Sequence, residues 1–359
     1  MASSVLRSVG FAAGLTIVSL LSHPCPSRAQ DLPPIRVDRQ ELTSNLVAYR
    51  FGAVDAELSQ FEQSAEKDPR QEMNAYVAFA AFATSQSLIS GRLDDWVKAS
   101  PNSYAAALAR GERLVETALR WRGSLPIAKA DPEGVQQATR CAREAMAELD
   151  RALTLKQDLA LAYALRIKAA RVGGLNDVMA RVRNEGLAAA PSSFVVREEV
   201  MYSLRPRWGG SRAAMLDFVA ASEPYARDNP TMRFLTAWPA IDQGDVLLDG
   251  GNLPGAIEQY TAAIKTGGEY WRAYARRAEA YAGAGNWEQA QADAARVDEL
   301  CPQRGDILRL LTYIGIKLDE PAATLIWASD YLLYENPDPQ MLAIASSAGA
   351  ELKQQKVIN

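Results

Sequence analysis

Apolar and polar residues alternate along most of this chain with the period of an α-helix. From about Ala53 onward, Ala, Leu, Arg, Glu and Gln dominate, and stretches of Val, Ile and Thr with the two-residue alternation of a strand are nearly absent. Glycine and proline recur at intervals of about one helix, as C-caps and breakers do. The pattern predicts an all-α protein of roughly 13 to 15 helices.

Two neighbouring segments match each other after a shift of 34 residues. Gly251-Asn252 corresponds to Gly285-Asn286, and Ala256 corresponds to Ala290. This period is typical of helix-turn-helix repeats, which are too short to bury their apolar sides alone. The repetition therefore predicts antiparallel helical hairpins stacked into an α-α superhelix, whose surface is suited to holding another molecule.

The second of these segments resembles the tetratricopeptide repeat (TPR). The TPR positions are filled by Tyr274, Ala278, Tyr281, Gly285, Ala290, Ala294, Val297 and Pro302. The preceding segment has Ala240, Gly244, Leu247, Gly251, Ala256, Tyr260, Ala263 and Gly268 in the same slots. The resemblance implies TPR-like repeats over residues 226–359, ending in a degenerate C-terminal cap. Small residues in these slots let helices approach, and aromatic residues fill the space between hairpins.

The central stretch, about residues 55–225, resembles an uncharacterised bacterial domain family found with TPR units. Its most specific part is the element from Arg205 to Ser211, Arg-Pro-Arg-Trp-Gly-Gly-Ser. The resemblance implies an architecture and no activity. We expect a helical domain of unknown function at residues 53–225 after an extended lead-in at residues 30–52. The element is either a joint between helices, pinned by Trp208, or an anion site formed by Arg207 and Arg212.

The N-terminus has the features of a secretory signal peptide, residues 1–29. Arg7 precedes an uncharged apolar run from Val9 to Leu21, and Ser27-Arg28-Ala29 fits a cleavage site. Cleavage after Ala29 predicts a periplasmic or secreted protein with no transmembrane segment, since a spanning helix needs ~20 apolar residues. Lipid anchoring at Cys25 is disfavoured because the preceding Ser22-His23-Pro24 lacks the small residues of that signal.

Charge and residue usage exclude several function classes. Lys and Arg number 39 against 43 Asp and Glu, and losing Arg7 and Arg28 leaves 37 basic residues, a net charge of −6. Nucleic acid is therefore not expected as a partner. His23 is the single histidine, so the mature chain has none for a catalytic triad or an imidazole metal site. We predict no catalytic residue, no metal site and no cofactor.

Two cysteines remain after the signal peptide, and both occur in helical patterns. Cys141 and Cys301 are 160 residues apart. Residues so distant in a superhelix usually lie several repeats apart, whereas a disulfide needs Cα atoms within ~7 Å. We interpret both as buried free thiols.

The first helix of each TPR-like hairpin supplies the candidate partner-binding residues. In TPR superhelices these helices line the concave face, which selects Arg272, Arg276 and Glu279 from one unit and Trp238 and Asp242 from its neighbour. We expect a non-catalytic interaction scaffold that binds a protein or peptide in the cell envelope.

A second function class stays open. Small-molecule binding, or an enzyme activity that needs no histidine, would belong to the N-terminal helical domain. Asp94, Asp95 and Trp96 near Arg110 are its candidate pocket residues. Capping of a helix by the two acids explains the same pair of aspartates.

Overall fold

Helices make up the regular secondary structure of residues 32–84, 86–123, 127–335 and 338–358, which the computed structural model describes. No β-strand occurs in these ranges. The signal peptide expected at residues 1–29, with His23 and Cys25, lies outside them. None of the described helices combines the length and apolar character that a membrane span requires.

Seventeen α-helices follow one another in these described ranges. They are α1 (Arg39–Val47), α2 (Phe51–Lys67), α3 (Glu72–Ala80), α4 (Ser87–Ala99), α5 (Tyr104–Arg122), α6 (Pro132–Leu155), α7 (Ala160–Val172), α8 (Asn176–Ala189), α9 (Phe194–Ser203), α10 (Arg212–Ser222), α11 (Trp238–Asp249), α12 (Leu253–Gly267), α13 (Trp271–Gly283), α14 (Trp287–Leu300), α15 (Gly305–Lys317), α16 (Pro321–Tyr334) and α17 (Pro339–Ile358). Short 3-10 segments lie at Pro69–Gln71, Ile127–Lys129, Pro206–Trp208, Glu223–Arg227 and Pro230–Ala237.

Consecutive helices pack against each other as hairpins, which confirms the all-α superhelix. Among the TPR-like repeats the pairs are α11 with α12, α13 with α14, and α15 with α16. Gly251 and Gly285 turn two of these hairpins with φ angles of +76° and +77°. Such angles favour glycine because a Cβ atom makes them strained. Glycine therefore recurs at these two positions because the backbone of each turn adopts a positive φ angle.

The extended lead-in expected at residues 30–52 is wrong from Arg39 onward. That segment contains α1, and α2 begins at Phe51. The Asp38 side chain caps α1 by accepting a hydrogen bond of 2.8 Å from the backbone N–H of Glu41. Leu42 and Leu46, one turn apart, are fully buried. This short helix helps to raise the helix count above the predicted range.

Residues from Pro33 onward form one compact unit. The boundary that we placed at residue 225 falls in the 3-10 segment Glu223–Arg227 and separates no compact units. Distant helices are also joined directly. The Glu72 carboxylate of α3 accepts hydrogen bonds from the Ser193 hydroxyl and, at 2.8 Å, from the backbone N–H of Phe194 at the start of α9. A carboxylate is favourable at a helix N-terminus.

The first helices also contact the last hairpins, so the superhelix closes on itself. α1 packs against α16. Arg39 donates hydrogen bonds to the backbone carbonyls of Gln303 and Ala80. The Gln86 side-chain amide donates 3.0 Å to the carbonyl of Glu335. These contacts bring the N-terminal helices and the last hairpins together around one central space.

Candidate functional site

A cavity of about 410 Å³ lies between the inner helices. α1, α3, α5, α7, α9, α13 and the start of α15 all contribute to its lining. Its charged residues are Arg39, Glu112, Glu116, Lys168, Arg171, Glu199, Arg272, Arg304, Asp306 and Glu335. Five of these are basic and five are acidic, and they come from nearly the whole length of the described chain. We call this space the central cavity.

One region of the central cavity is rich in carboxylates. Lys168 Nζ lies 3.3 Å from Glu116 Oε2, and Arg171 Nη2 lies 2.7 Å from Glu199 Oε2. These pairs leave Glu112, which is 2% exposed and whose Oε2 atom has no hydrogen-bond partner. Burial raises the pKa of Glu112 to about 7, against the lowering effect of Lys168. Glu112 is therefore a buried acid with an unsatisfied oxygen.

A second region of the central cavity is rich in guanidinium groups. Arg304 pairs with Asp306 at 2.7 Å and covers the ring of Trp271 at 4.0 Å. Arg272 Nε donates 2.8 Å to Glu198 Oε1. Burial lowers the pKa of Arg39, while the negative charge of Glu335 acts to raise it.

The charges that act on Arg39 and on Glu112 belong to different residues. The charges that act on Arg39 are those of Glu335 and Arg304, together with Cys301 and Tyr334. The charges that act on Glu112 are those of Lys168, Glu116 and Glu199. The lining thus offers one group of each sign for a ligand: Glu112, whose buried Oε2 atom accepts no hydrogen bond, and Arg39, which forms no ion pair with a carboxylate of the described residues.

The structure places one predicted partner-binding residue, Arg272, in the lining of the central cavity. Trp238 is only 1% exposed and packs edge-to-face on Tyr202 with ring centroids 5.0 Å apart. Our assignment of Trp238 to a binding surface is therefore wrong, because the bulk of its ring is used in the core. Asp242 is also buried, and it accepts 2.7 Å from Arg205 Nε.

Arg276 and Glu279 lie outside the central cavity lining. Arg276 Nε donates 2.7 Å to Asp245 Oδ1, and its guanidinium pairs with Glu279 one turn later. Asp245 also accepts hydrogen bonds from Arg205 at 2.6 Å and from the Tyr260 hydroxyl at 2.8 Å. These contacts give Arg276 and Glu279 a structural role between α11 and α13.

The contacts of the Arg205–Ser211 element support a joint between helices. A Cβ atom added to Gly210 would lie 1.9 Å from the carbonyl oxygen of Leu204, so the backbones approach closely there. Ser211 caps α10 through a 3.1 Å hydrogen bond from Ala214 N–H. Arg212 donates 2.9 Å to the carbonyl of Pro239, and Arg207 lies 5.4 Å from the ring centroid of Trp208. The guanidinium of Arg212 is thus engaged within the fold.

The pocket considered around Asp94, Asp95, Trp96 and Arg110 is a set of separate contacts. Trp96 is fully buried, and its Nε1 lies 3.3 Å from a carboxylate oxygen of Asp55. Arg110 pairs with Asp94 at 2.8 Å and with Glu148 at 2.6 Å, and Asp95 pairs with Arg92 at 3.3 Å. None of the four lines the central cavity.

Cys141 and Cys301 are both free and buried, which confirms their interpretation as unpaired thiols. Cys301 lies in the lining of the central cavity. Over the described ranges, no group of three or more Cys, His, Asp or Glu residues is arranged to hold a metal ion.

Sequence reasoning missed Glu112, Lys168, Arg39 and Arg304 as lining residues. One signal was present for Glu112. It follows the alanine-rich run Ala105–Ala109, whose five residues are all buried in α5. A charged residue among so many small apolar ones is rarely left buried without a reason. The other three residues carry no comparable local signal.

Solved structures similar to this chain include several helical repeat proteins. PilW, described as a widely conserved type IV pilus biogenesis factor, is 17% identical over 56% of this chain and 92% of its own, with a TM-score of 0.30. Yeast Tom70 is 12% identical over 80% of this chain and 64% of its own, with a TM-score of 0.40. A tetratricopeptide repeat protein from Parabacteroides merdae is 13% identical over 81% of this chain and 99% of its own, with a TM-score of 0.34. No curated protein matches the chain.

The model of one protein family matches residues 38–177 and 183–238. This match begins just before α1 and ends at the first residue of α11. It includes the Arg205–Ser211 element and covers more than half of the 359 residues. The chain therefore belongs to the family described as domain of unknown function DUF4034.

Proposed function

We propose that this protein is an exported, non-catalytic interaction protein that holds a short polar segment of a polypeptide partner in its central cavity. The observation that carries the proposal is the lining of the cavity. Charged side chains of both signs reach it from elements between Arg39 and Glu335. A bound segment would therefore contact the N-terminal helices and the TPR-like repeats together.

A polypeptide suits this lining for a chemical reason. Peptide groups offer hydrogen-bond donors and acceptors side by side, and polar side chains add charges of either sign. The lining offers the complementary mixture, with guanidinium and ammonium donors beside carboxylate acceptors. Helical superhelices use their inner surfaces in this way, with affinity that comes from many contacts.

Site-specific photo-crosslinking tests whether a polypeptide occupies the cavity. A photoreactive residue is placed at Leu119, which lines the cavity, or at Leu216, which is 49% exposed and lies outside it. Irradiation of cells should join a polypeptide to the Leu119 position and not to the Leu216 position. The adduct at Leu119 should weaken with Lys168→Gln in the cavity and persist with Lys265→Gln on the exposed surface. Equal adducts at both positions would count against the proposal.

Export is supported by the sequence pattern of residues 1–29. The proposal places the mature protein in the periplasm or outside the cell, beginning at Gln30. N-terminal sequencing of the protein from a fractionated cell tests this. Recovery from the cytoplasm with residues 1–29 still attached would refute it.

A second candidate function is the binding of a small molecule. The observation that favours it is the cavity volume of about 410 Å³, which lies within the range of small-ligand pockets. Perturbed titratable groups such as Glu112 and Lys168 also cluster at functional sites. A thermal-shift screen of metabolites would reveal such a ligand by stabilisation of the folded state.

A further inference from the structure

We propose that the ligand of the central cavity is bipolar, with an ammonium group that binds Glu112 and a carboxylate that binds Arg39. This inference rests on the proposed function because it takes the same cavity as the binding site. It adds the class of ligand, which is a short zwitterionic peptide.

Glu112 provides the site for the ammonium group. Its Oε2 atom is buried and accepts no hydrogen bond in the described structure. Lys168, the cation whose charge acts on Glu112, already forms an ion pair with Glu116 at 3.3 Å. Buried polar atoms in folded proteins are nearly always satisfied, so an unsatisfied carboxylate oxygen in a cavity wall calls for a donor from outside the chain. An ammonium group supplies three such donors.

Arg39 provides the site for the carboxylate. Its two terminal nitrogens donate to the backbone carbonyls of Gln303 and Ala80, while Nε is buried without a partner. These two partners are neutral carbonyls, and the negative charge of Glu335 acts on Arg39 without forming an ion pair with it. Arg39 forms no ion pair with a carboxylate of the described residues. A carboxylate matches the forked geometry of a guanidinium and carries the opposite charge.

Glu112 and Arg39 line the same cavity from different helices, Glu112 from α5 and Arg39 from α1. A simple cation would supply a donor to Glu112 and leave Arg39 without a carboxylate partner, and a simple anion would do the reverse. One molecule that carries both an ammonium and a carboxylate group satisfies both. The volume of about 410 Å³ limits it to a small ligand.

Isothermal titration calorimetry of the mature protein with synthetic peptides tests this chemistry without changing the protein. Trialanine with free termini carries one ammonium and one carboxylate at its ends. Trialanine acetylated and amidated at its ends keeps the same three residues but carries no charge. The proposal predicts that free trialanine binds at least about tenfold more tightly than the capped form, as expected for charged hydrogen bonds. Equal binding of the two, or binding of neither, overturns the proposal unless the next probe binds.

A capped Lys-Ala-Glu peptide distinguishes the source of the two charges. It carries an ammonium and a carboxylate on side chains, as an internal segment of a protein would. Binding of free trialanine assigns the site to free short peptides. Binding of capped Lys-Ala-Glu alone assigns it to a segment of a longer polypeptide with the same two groups. If neither charged peptide binds, the proposal of a bipolar ligand is overturned.

Variants then assign each charge to its residue. Glu112→Gln should weaken binding of the charged probe about tenfold, and Glu144→Gln, an exposed control on α6, should leave it unchanged. Arg39→Gln should weaken it similarly, with the exposed Arg36→Gln as its control. Circular dichroism shows whether each variant is folded. Unchanged affinity in both folded cavity variants overturns the assignment.

The two proposals fail in different ways. If crosslinking at Leu119 captures a polypeptide but charged and capped peptides bind alike, the interaction function stands and the bipolar chemistry is wrong. If trialanine with free termini binds but no polypeptide is crosslinked, the proposed interaction with a partner protein is wrong and the proposed chemistry of the cavity stands.

Discussion

The guanidinium of Arg39 donates a hydrogen bond to the backbone carbonyl of Gln303, 264 residues further along the chain. Arg39 belongs to α1, and Gln303 lies between α14 and α15. The same guanidinium lies over the ring of Tyr334, 5.6 Å from its centroid. One side chain thus joins the first helix to the last hairpins and forms part of the wall of the central cavity.

Replacing Arg39 with alanine should loosen this junction. The hydrogen bonds to Gln303 and Ala80 and the contact with Tyr334 would be lost together, which should cost about 1–3 kcal/mol of stability. We expect faster hydrogen exchange of the α1 amides, because that helix would separate from α16 more often. Mass spectrometry resolves the effect by peptide. Arg36→Ala, at an exposed side chain, should leave α1 unchanged; equal exchange in the two variants would show that Arg39 does not hold the junction.

Replacing Gly244 with alanine should destabilise the hairpin of α11 and α12. The added Cβ atom would lie 2.4 Å from the ring of Tyr260, which is fully buried and also held by its hydrogen bond to Asp245. The ring has little freedom to move away, so we expect a loss of about 1–3 kcal/mol in urea unfolding.

Gly91→Ala is the matched control for Gly244→Ala. Gly91 also lies inside a helix, α4, but an added Cβ atom would meet nothing within 4 Å. Alanine has the higher helix propensity, so this variant should be more stable by up to about 1 kcal/mol. Similar effects of the two substitutions would mean that close packing on Tyr260 is not the cause.

The fold of the repeats was predictable because its determinants are local. Gly244 occupies a small-residue slot and Tyr260 a packing slot of the same repeat, and the structure brings them into contact. The turn glycines Gly251 and Gly285 adopt the positive φ angles that their spacing implied. These contacts and turns lie within one repeat, so the 34-residue period of the sequence is enough to predict them.

The binding site was far less predictable because its parts are distant in sequence. Arg39 reaches the central cavity only because the superhelix closes, and its segment was expected to be extended. The repeat positions predicted that Trp238 lies on the concave face, but its side chain is buried in the core, where it packs on Tyr202. Helical periodicity tells which residues share a face. It does not tell which faces a closed superhelix buries.

Asp245→Asn should destabilise the protein strongly at neutral pH. Asp245 accepts hydrogen bonds from Arg205, Arg276 and Tyr260, and the Arg205 side chain is buried. Asparagine would leave a buried guanidinium with less negative charge beside it. We expect a loss of about 3–5 kcal/mol in urea unfolding at pH 7. Asp249→Asn, exposed on the same helix, should change stability little.

The loss of folding stability caused by Asp245→Asn should also depend on pH. Burial acts to raise the pKa of Asp245, but the charges of Arg276 and Arg205 outweigh it, and the pKa is lowered overall. The stabilisation by its carboxylate is therefore present above the unfolded pKa of about 3.9 and is lost as the pH falls through the folded value. The difference in stability between the two proteins should narrow below about pH 4. A constant difference from pH 7 to pH 3 would contradict the ion-pair explanation.

Glu112→Gln should remove a pH dependence of opposite sign. Burial raises the pKa of Glu112 to about 7, above its value of about 4.3 in an unfolded chain. Between these values the folded protein binds more protons than the unfolded one, so its stability falls as the pH rises. Glutamine resembles the protonated acid and cannot ionise. From pH 4.5 to pH 8, the variant should gain about 3 kcal/mol relative to the unmodified protein. Glu62 and Glu72, whose pKa values burial also raises to about 7, are present in both proteins and cancel in the difference.

Urea unfolding from about pH 4.5 to pH 8 measures the difference in stability between the variant and the unmodified protein. Glu144→Gln is the exposed control. A difference that does not change with pH would show that Glu112 is ionised without cost in the folded state.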